Sequence, residues 1–316
     1  PLPQKTGTFA ALIVIAQLFT GLVGTCNGAL MSVMLTDGQR GRAGGFYNAG
    51  NLGGGAISAG LTLTLLTHDV PLPVVAFAVM AMLLLPAFAV LAIPEEPRPR
   101  RAPREVFSAM WREVSGTARS RAGWTGIIMC SSPVGTAALM NLFSALAVDY
   151  RASDGMVSFV NGYWSGLVTA AGSLAGGYLS DRMNRRHAYL LSGALTAICA
   201  LGMMAAGLTP TVFAVGISVY VFVAGICYAA FSAMVLETIG TAGSTAATQY
   251  TLFTSAGNLA IAYVTAIDSR FHERHGPGGL LGVDAALNLA GIVFLLVLFR
   301  LFRPVTGNRP PTRSPA

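Results

Sequence analysis

The chain has 316 residues, of which 53% are hydrophobic and only 10% charged, with a net charge of +7. Soluble domains carry roughly 25% charged residues, so this composition excludes an ordinary globular protein and makes the bilayer the solvent. In a soluble chain the positive balance would suggest nucleic acid. Here it reflects Lys and Arg collecting in loops on one side of a membrane.

Residues 6–36, 43–67, 70–94, 122–148, 155–180, 188–236 and 238–267 contain no Asp, Glu, Lys or Arg. A helix crossing the hydrocarbon needs about 20 apolar residues. The pattern therefore predicts an all-α, polytopic membrane protein with about nine spans. They fall near 8–35, 44–66, 73–93, 124–148, 156–179, 188–207, 211–235, 248–267 and 283–302. Gly207-Leu208-Thr209-Pro210-Thr211 divides the longest run into two. The third span lacks any polar side chain from Val74 to Ile93, as a lipid-facing helix would. Asp284 stands at the start of the last.

The loops after spans one, three, five and seven, with the C-terminal tail, hold sixteen of the 20 Lys and Arg. Loop charge therefore puts 36–43, 94–123, 180–187, 236–247 and the tail in the cytoplasm. The first span then begins outside. With proline rather than methionine at position 1, this leads to the expectation of a fragment lacking three spans before it. The expected division is a partial N-terminal bundle at 1–94, a linker at 95–121, a six-helix bundle at 122–303 and a tail at 304–316.

The linker opens with Pro94-Glu95-Glu96-Pro97-Arg98-Pro99, which cannot be helical. After it, Val106, Phe107, Met110, Trp111 and Val114 recur at helical spacing beside Arg104, Arg112 and Glu113. That pattern describes either an amphipathic helix on the inner leaflet or a solvated tether between bundles. Ala49-Gly50-Asn51-Leu52 recurs as Ala256-Gly257-Asn258-Leu259, each time after an inward-running span and an acid-led loop, Asp37 or Glu237. Such repeats place a transporter's binding site at their interface.

Cys26, Cys130, Cys199 and Cys227 lie in separate apolar runs without CxxC spacing, and read as packed hydrophobes. His272-Glu273-Arg274-His275 is not a zinc-binding HExxH, and no other ligand spacing occurs, so no metal or cofactor is expected. No ionisable residue lies deep in a predicted span. That argues against an intramembrane enzyme and leaves a proton-coupling group unidentified, with Asp149 and Glu237 as candidates should the helix ends differ.

Between two apolar runs stands Gly177-Tyr178-Leu179-Ser180-Asp181-Arg182-Met183-Asn184-Arg185-Arg186. It resembles the loop motif G-x-L-x-D-R-x-G-R-R of the major facilitator superfamily, with Asn184 in place of the second glycine. Asn tolerates the left-handed backbone expected at that turn. Gly177, with Gly172 and Gly176, offers a small-residue face to a neighbouring helix. Asp181 can cap the unsatisfied amides at the positive end of a facing helix. The resemblance implies that this facing helix is the eighth span, starting near Thr248 and Gln249, and that the contact shuts a cytoplasmic gate. Arg182, Arg185 and Arg186 would shield the carboxylate or meet lipid phosphate.

A narrower resemblance, to AmpG-type muropeptide permeases and the related acetyl-coenzyme-A transporters, rests on three stretches. These are residues 37–54, residues 245–253, and Ala262-Tyr263 with Asp268 and Gly276–Gly279. It implies alternating-access uptake of peptidoglycan-derived muropeptides across a bacterial inner membrane, driven by protons. A permease for another organic anion such as acetyl-coenzyme A, or a truncated, inactive transporter, are the other readings. In the resembling fold the cavity-facing spans offer Thr25, Asn27, Asn141 and Tyr228, and the rocker spans offer Asn51, Trp164, Gln249, Tyr250 and Asn258. Uncharged amides, hydroxyls and aromatics suit a sugar-containing ligand. The same groups also serve as interhelical hydrogen bonds.

Overall fold

The computed structural model describes residues 6–92, 102–239 and 246–301. The expected cytoplasmic stretches 94–101, 240–245 and the tail from 304 lie outside these residues. Those described are helical almost throughout, and no strand occurs among them.

Among the described residues nine passes can be followed, though only some are unbroken helices. The first is α1 (Thr6–Met34). In the second, α2 (Arg40–Asn48) and α3 (Gly54–Thr67) are joined through a π-helical turn at Ala49–Gly53. The third is α4 (Leu72–Leu84), which tightens into a 3-10 helix over Leu85–Ala92 around Pro86. The linker segment forms α5 (Pro103–Arg119), whose side chains Val106, Phe107 and Trp111 are exposed. The described part of the linker is thus helical, with an apolar stripe exposed beside its charged residues.

The fourth pass is discontinuous. α6 (Arg121–Cys130) ends at Ser131, and a 3-10 turn at Ala138–Leu142 leads into α7 (Phe143–Asp149). The fifth joins α8 (Asp154–Phe159) to α9 (Ser165–Arg182) through a second π-helical turn at Val160–Trp164. α10 (Arg185–Ala205) and α11 (Pro210–Ile239) follow, separated where Gly207 takes a φ of 84°. The last two passes are the arms of α12 (Ala246–Leu301), broken at Gly276 with φ 64° and ψ −161°. Arg186 lies over the ring of Phe299, while Ala246 and Leu298 share one apolar cluster. Both ends of α12 are therefore at the same end of the molecule, and the two arms form a hairpin.

Burial sorts the helices as a membrane protein requires. α1 and α4 leave nearly all of their apolar surface exposed, whereas half of the membrane-length window of α10 and of α11 is buried. The apolar core forms two clusters. One surrounds Tyr189, Met234, Tyr250 and Leu295, and the other surrounds Leu139, Phe143, Phe213, Ile217 and Leu280.

The second and fifth passes pack antiparallel along their length, and small residues set the distance. A Cβ on Gly45 would come within 2.7 Å of the Ser173 carbonyl, and one on Gly166 would meet the Ala56 side chain. The face expected to join Gly172, Gly176 and Gly177 is in fact two faces. A Cβ on Gly177 would meet Gly41 and Gly45 of α2, whereas one on Gly172 or Gly176 would meet Phe222 or Ile226 of α11. Successive helical residues lie about 100° apart, so the adjacent glycines of α9 serve two different neighbours.

Candidate functional site

Two polar arrangements stand out, one at the basic end of the helices and one at mid-depth. At the basic end, Asp181 in the last turn of α9 is only 10% exposed. Its Oδ1 accepts from the Gly41 amide at 2.7 Å, and its Oδ2 accepts from the Arg42 amide at 3.0 Å and from Arg42 Nε at 3.0 Å. Both amides belong to the first turn of α2, where no intrahelical carbonyl can reach them, and the helix dipole there favours an anion.

The carboxylate therefore caps a facing helix as expected, but that helix is the second pass and not the eighth. The reason is steric: Gly41, Gly45 and Gly177 let α2 come close to the end of α9. The arginines differ from expectation too. Arg42 meets the carboxylate, while Arg185 Nη1 lies 3.4 Å from Glu237 Oε2, Arg186 covers Phe299 and Arg182 is exposed. Asn184 is not left-handed. At φ −61° and ψ 123° it is the N-cap of α10, its Oδ1 accepting from the Arg186 and His187 amides. The start of α12 receives a different acid, with Thr248 Oγ1 donating to Glu113 Oε2 of α5 at 3.1 Å.

At mid-depth a cavity of about 550 Å³ lies among α1, α2, α6, α11 and α12. Of the residues predicted for binding, Thr25, Asn51, Tyr228, Tyr250 and Asn258 line it. Four do not. Asn141 Nδ2 donates to Thr265 Oγ1, and Trp164 Nε1 donates to Ser218 Oγ while its ring stacks on Phe159. Asn27 and Gln249 are partly buried away from the cavity. Gln17, Thr20, Tyr47, Ser132, Thr136 and Thr254 add hydroxyl and amide groups, and among the described residues no Asp, Glu, Lys, Arg or His lines the cavity. Thr25 Oγ1 and Thr251 Oγ1 lie 3.1 Å apart, so α1 and α12 touch beside it.

One wall is the unwound segment of the fourth pass, which was expected as continuous helix. Irregular backbone at membrane depth survives only where other groups satisfy it or where it lines a cavity. Here both hold. Tyr189 donates to the Val134 carbonyl at 2.6 Å, Tyr263 to the Ser131 carbonyl at 2.8 Å, and Tyr228 to the Thr136 carbonyl at 3.4 Å. The Gly135 amide donates to Oδ1 of Asn288 at 2.7 Å. Gly135 (φ 60°) sits where a Cβ would collide with Cys227 Sγ, so the break requires glycine. Tyr189, Tyr263 and Asn288 were not among the predicted site residues. A lone amide in the last apolar run was the available signal for Asn288.

The ionisable residues near the helix ends also differ from expectation. Asp268 and Asp284 are both 0% exposed, inside the bundle rather than at its edge. His272 is helical and partly buried, its Nε2 lying 2.6 Å from Asp149 Oδ2. The two carboxylates considered earlier, Asp149 and Glu237, are thus each engaged by a basic side chain.

A family model for the Major Facilitator Superfamily matches residues 2–265. A search of curated proteins found no match.

Proposed function

Because the chain belongs to the Major Facilitator Superfamily, and is therefore a multi-pass membrane solute transporter, we propose that it moves a hydroxyl-rich solute of the glycopeptide class. Peptidoglycan-derived muropeptides are the candidates, taken up with protons across a bacterial inner membrane. The observation that carries this reading is the cavity. Its polar lining consists of amides, hydroxyls and phenols without a fixed charge, and its volume falls in the usual range of about 300–1,000 Å³ for small-molecule sites. Sugar hydroxyls both donate and accept, and such a lining does the same. A phosphorylated anion such as acetyl-coenzyme A would need Arg or Lys at hand, and the described lining holds neither.

In this reading the basic end is cytoplasmic and the structure holds it shut. Asp181 on the first turn of α2 joins the two sides of the transporter at this end, with glycine contacts beneath it. Opening inward requires α2 and α9 to separate, which exposes two α2 amides and the carboxylate to water. Thr25, Asn51, Tyr228, Tyr250 and Asn258 bind the solute, and the unwound segment at Ser132–Thr136 adapts to it.

The test is uptake of labelled anhydro-muropeptide into vesicles carrying the protein, with and without an inward proton gradient. Gradient-dependent accumulation is expected. Its absence, with the protein correctly inserted, removes the substrate and coupling assignments and leaves the family membership untouched.

A further inference from the structure

We infer that Asp268 is a proton-binding site of this transporter, lodged outside the solute cavity in the bundle interior between Asp284 and the Asp149–His272 pair. The inference rests on the transport reading only in assigning the bound proton a role in coupling.

The argument starts from what each carboxylate has around it. Asp284 is fully buried, but Tyr220 Oη reaches its oxygens at 3.4 and 3.5 Å. Asp268 is equally buried, and neither of its oxygens has any hydrogen-bond partner. A carboxylate with no donor in a bundle bounded by lipid is among the costliest groups a protein can hold, and such residues mark ion and proton pathways. Asp268 and Asp284 also lie within electrostatic reach of each other and of Tyr220. The hairpin of α12 creates this proximity: the two acids stand eight residues before and eight after the break at Gly276. Two anions cannot share one dry pocket, and only Asp284 has a donor to support its charge. The neutral acid therefore belongs on Asp268, where the proton neutralises one of the two charges.

A proton, rather than a metal, fits the surroundings. No group of three or more His, Cys, Asp or Glu side chains with metal-binding geometry occurs among the described residues. The titratable groups facing the pair are Tyr220 of α11 and the Cys199 thiol of α10, which supply no cation, while the His272 imidazole one turn along α12 is engaged by Asp149. A route to water is present. His272 lies one helical turn beyond Asp268 on the same face, and its Nε2 pairs with Asp149 at 2.6 Å, where both side chains are about one quarter exposed. From the solute cavity, whose lining reaches Ile261, Asp268 is about 10 Å further along α12 at 1.5 Å per residue. Proton and solute thus occupy different levels of the same helix, so protonation can alter how α12 packs on α11 without touching the solute.

Infrared difference spectroscopy of the purified protein, with the proton itself as the ligand, tests this. At neutral pH the wild type should show the carbonyl stretch of a protonated carboxylic acid, which disappears on alkalinisation. Asp268→Asn should abolish the band, Asp268→Glu should keep it at a shifted frequency, and Asp154→Asn, at an exposed helix start, should leave it unchanged. A wild type without the band, or a band that survives Asp268→Asn, overturns the assignment. Loss of the band on adding sodium at fixed pH also overturns it, in favour of an alkali-cation site. In vesicles, Asp268→Asn should lose gradient-driven accumulation while retaining solute counterflow. Wild-type vesicles that fail to take up muropeptide would count against the transport reading alone, because the band is measured without solute.

Discussion

At the scale of single residues, Gly135 shows how one position holds a membrane helix open. Its φ of 60° is a conformation that costs other residues about 1–2 kcal/mol, and its missing Cβ leaves room for the Cys227 sulfur. Overpacking a core adds about 1–3 kcal/mol. Gly135→Ala should therefore lower stability by about 2–5 kcal/mol, seen as a lower thermal midpoint in detergent. Gly135→Ala combined with Cys227→Ala should recover the steric part and leave the backbone part. Full recovery would mean that φ at this position carries no strain. Asn288, wholly buried, complements the glycine by accepting its amide.

At the scale of helices, the contact between α2 and α9 couples a hydrogen-bonded cap to a close approach. A Cβ on Gly177 would stand 2.8 Å from the Gly41 carbonyl and 2.9 Å from the Gly45 Cα, so Gly177→Ala must push the helices apart. The Gly41 amide then loses Asp181. A cap of this kind contributes about 1 kcal/mol, roughly fivefold in the balance between shut and open. Asp181→Asn and Gly177→Ala should each leave insertion intact, destabilise the shut state by about that amount and slow uptake in vesicles. Gly202→Ala, where a Cβ would meet nothing within 4 Å, serves as the control and should leave uptake unchanged. Equal rates in all three would remove the latch from the mechanism. The two π-helical turns belong to this scale as well, each interrupting one partner of the antiparallel pair, at Ala49–Gly53 and at Val160–Trp164. Such turns recur at functional sites.

At the scale of the whole molecule, alternating access requires the helices around the cavity to separate and rejoin. The hydroxyls of Thr25 on α1 and Thr251 on α12 are 3.1 Å apart in this structure, across one edge of that cavity. Cysteines at both positions, with Cys26 replaced by serine to remove an exposed competitor, should form a disulfide on oxidation. The cross-linked protein should cease transport and regain it with reductant. Continued uptake by fully oxidised protein would show that α1 and α12 do not move apart in the cycle.

Much of this was legible in the sequence, because membrane helices are set by local composition: about 20 uncharged residues in a row must be helical wherever they pack. The passes among the described residues follow from that rule, whereas the segment Pro103–Arg119 was legible from its helical apolar spacing and Asp181 from its place between two apolar runs. What the sequence could not supply was partnership, which depends on contacts between residues far apart in the chain. Asp181 caps α2 rather than α12, and Arg42 rather than its own neighbouring arginines meets it. The nine residues chosen for binding divided for the same reason, since a polar side chain in an apolar helix looks alike whether it lines a cavity or ties two helices together. Asp268 and Asp284 are the sharpest case. Their positions at the ends of apolar runs suggested solvent, and only the hairpin at Gly276 folds them into the interior.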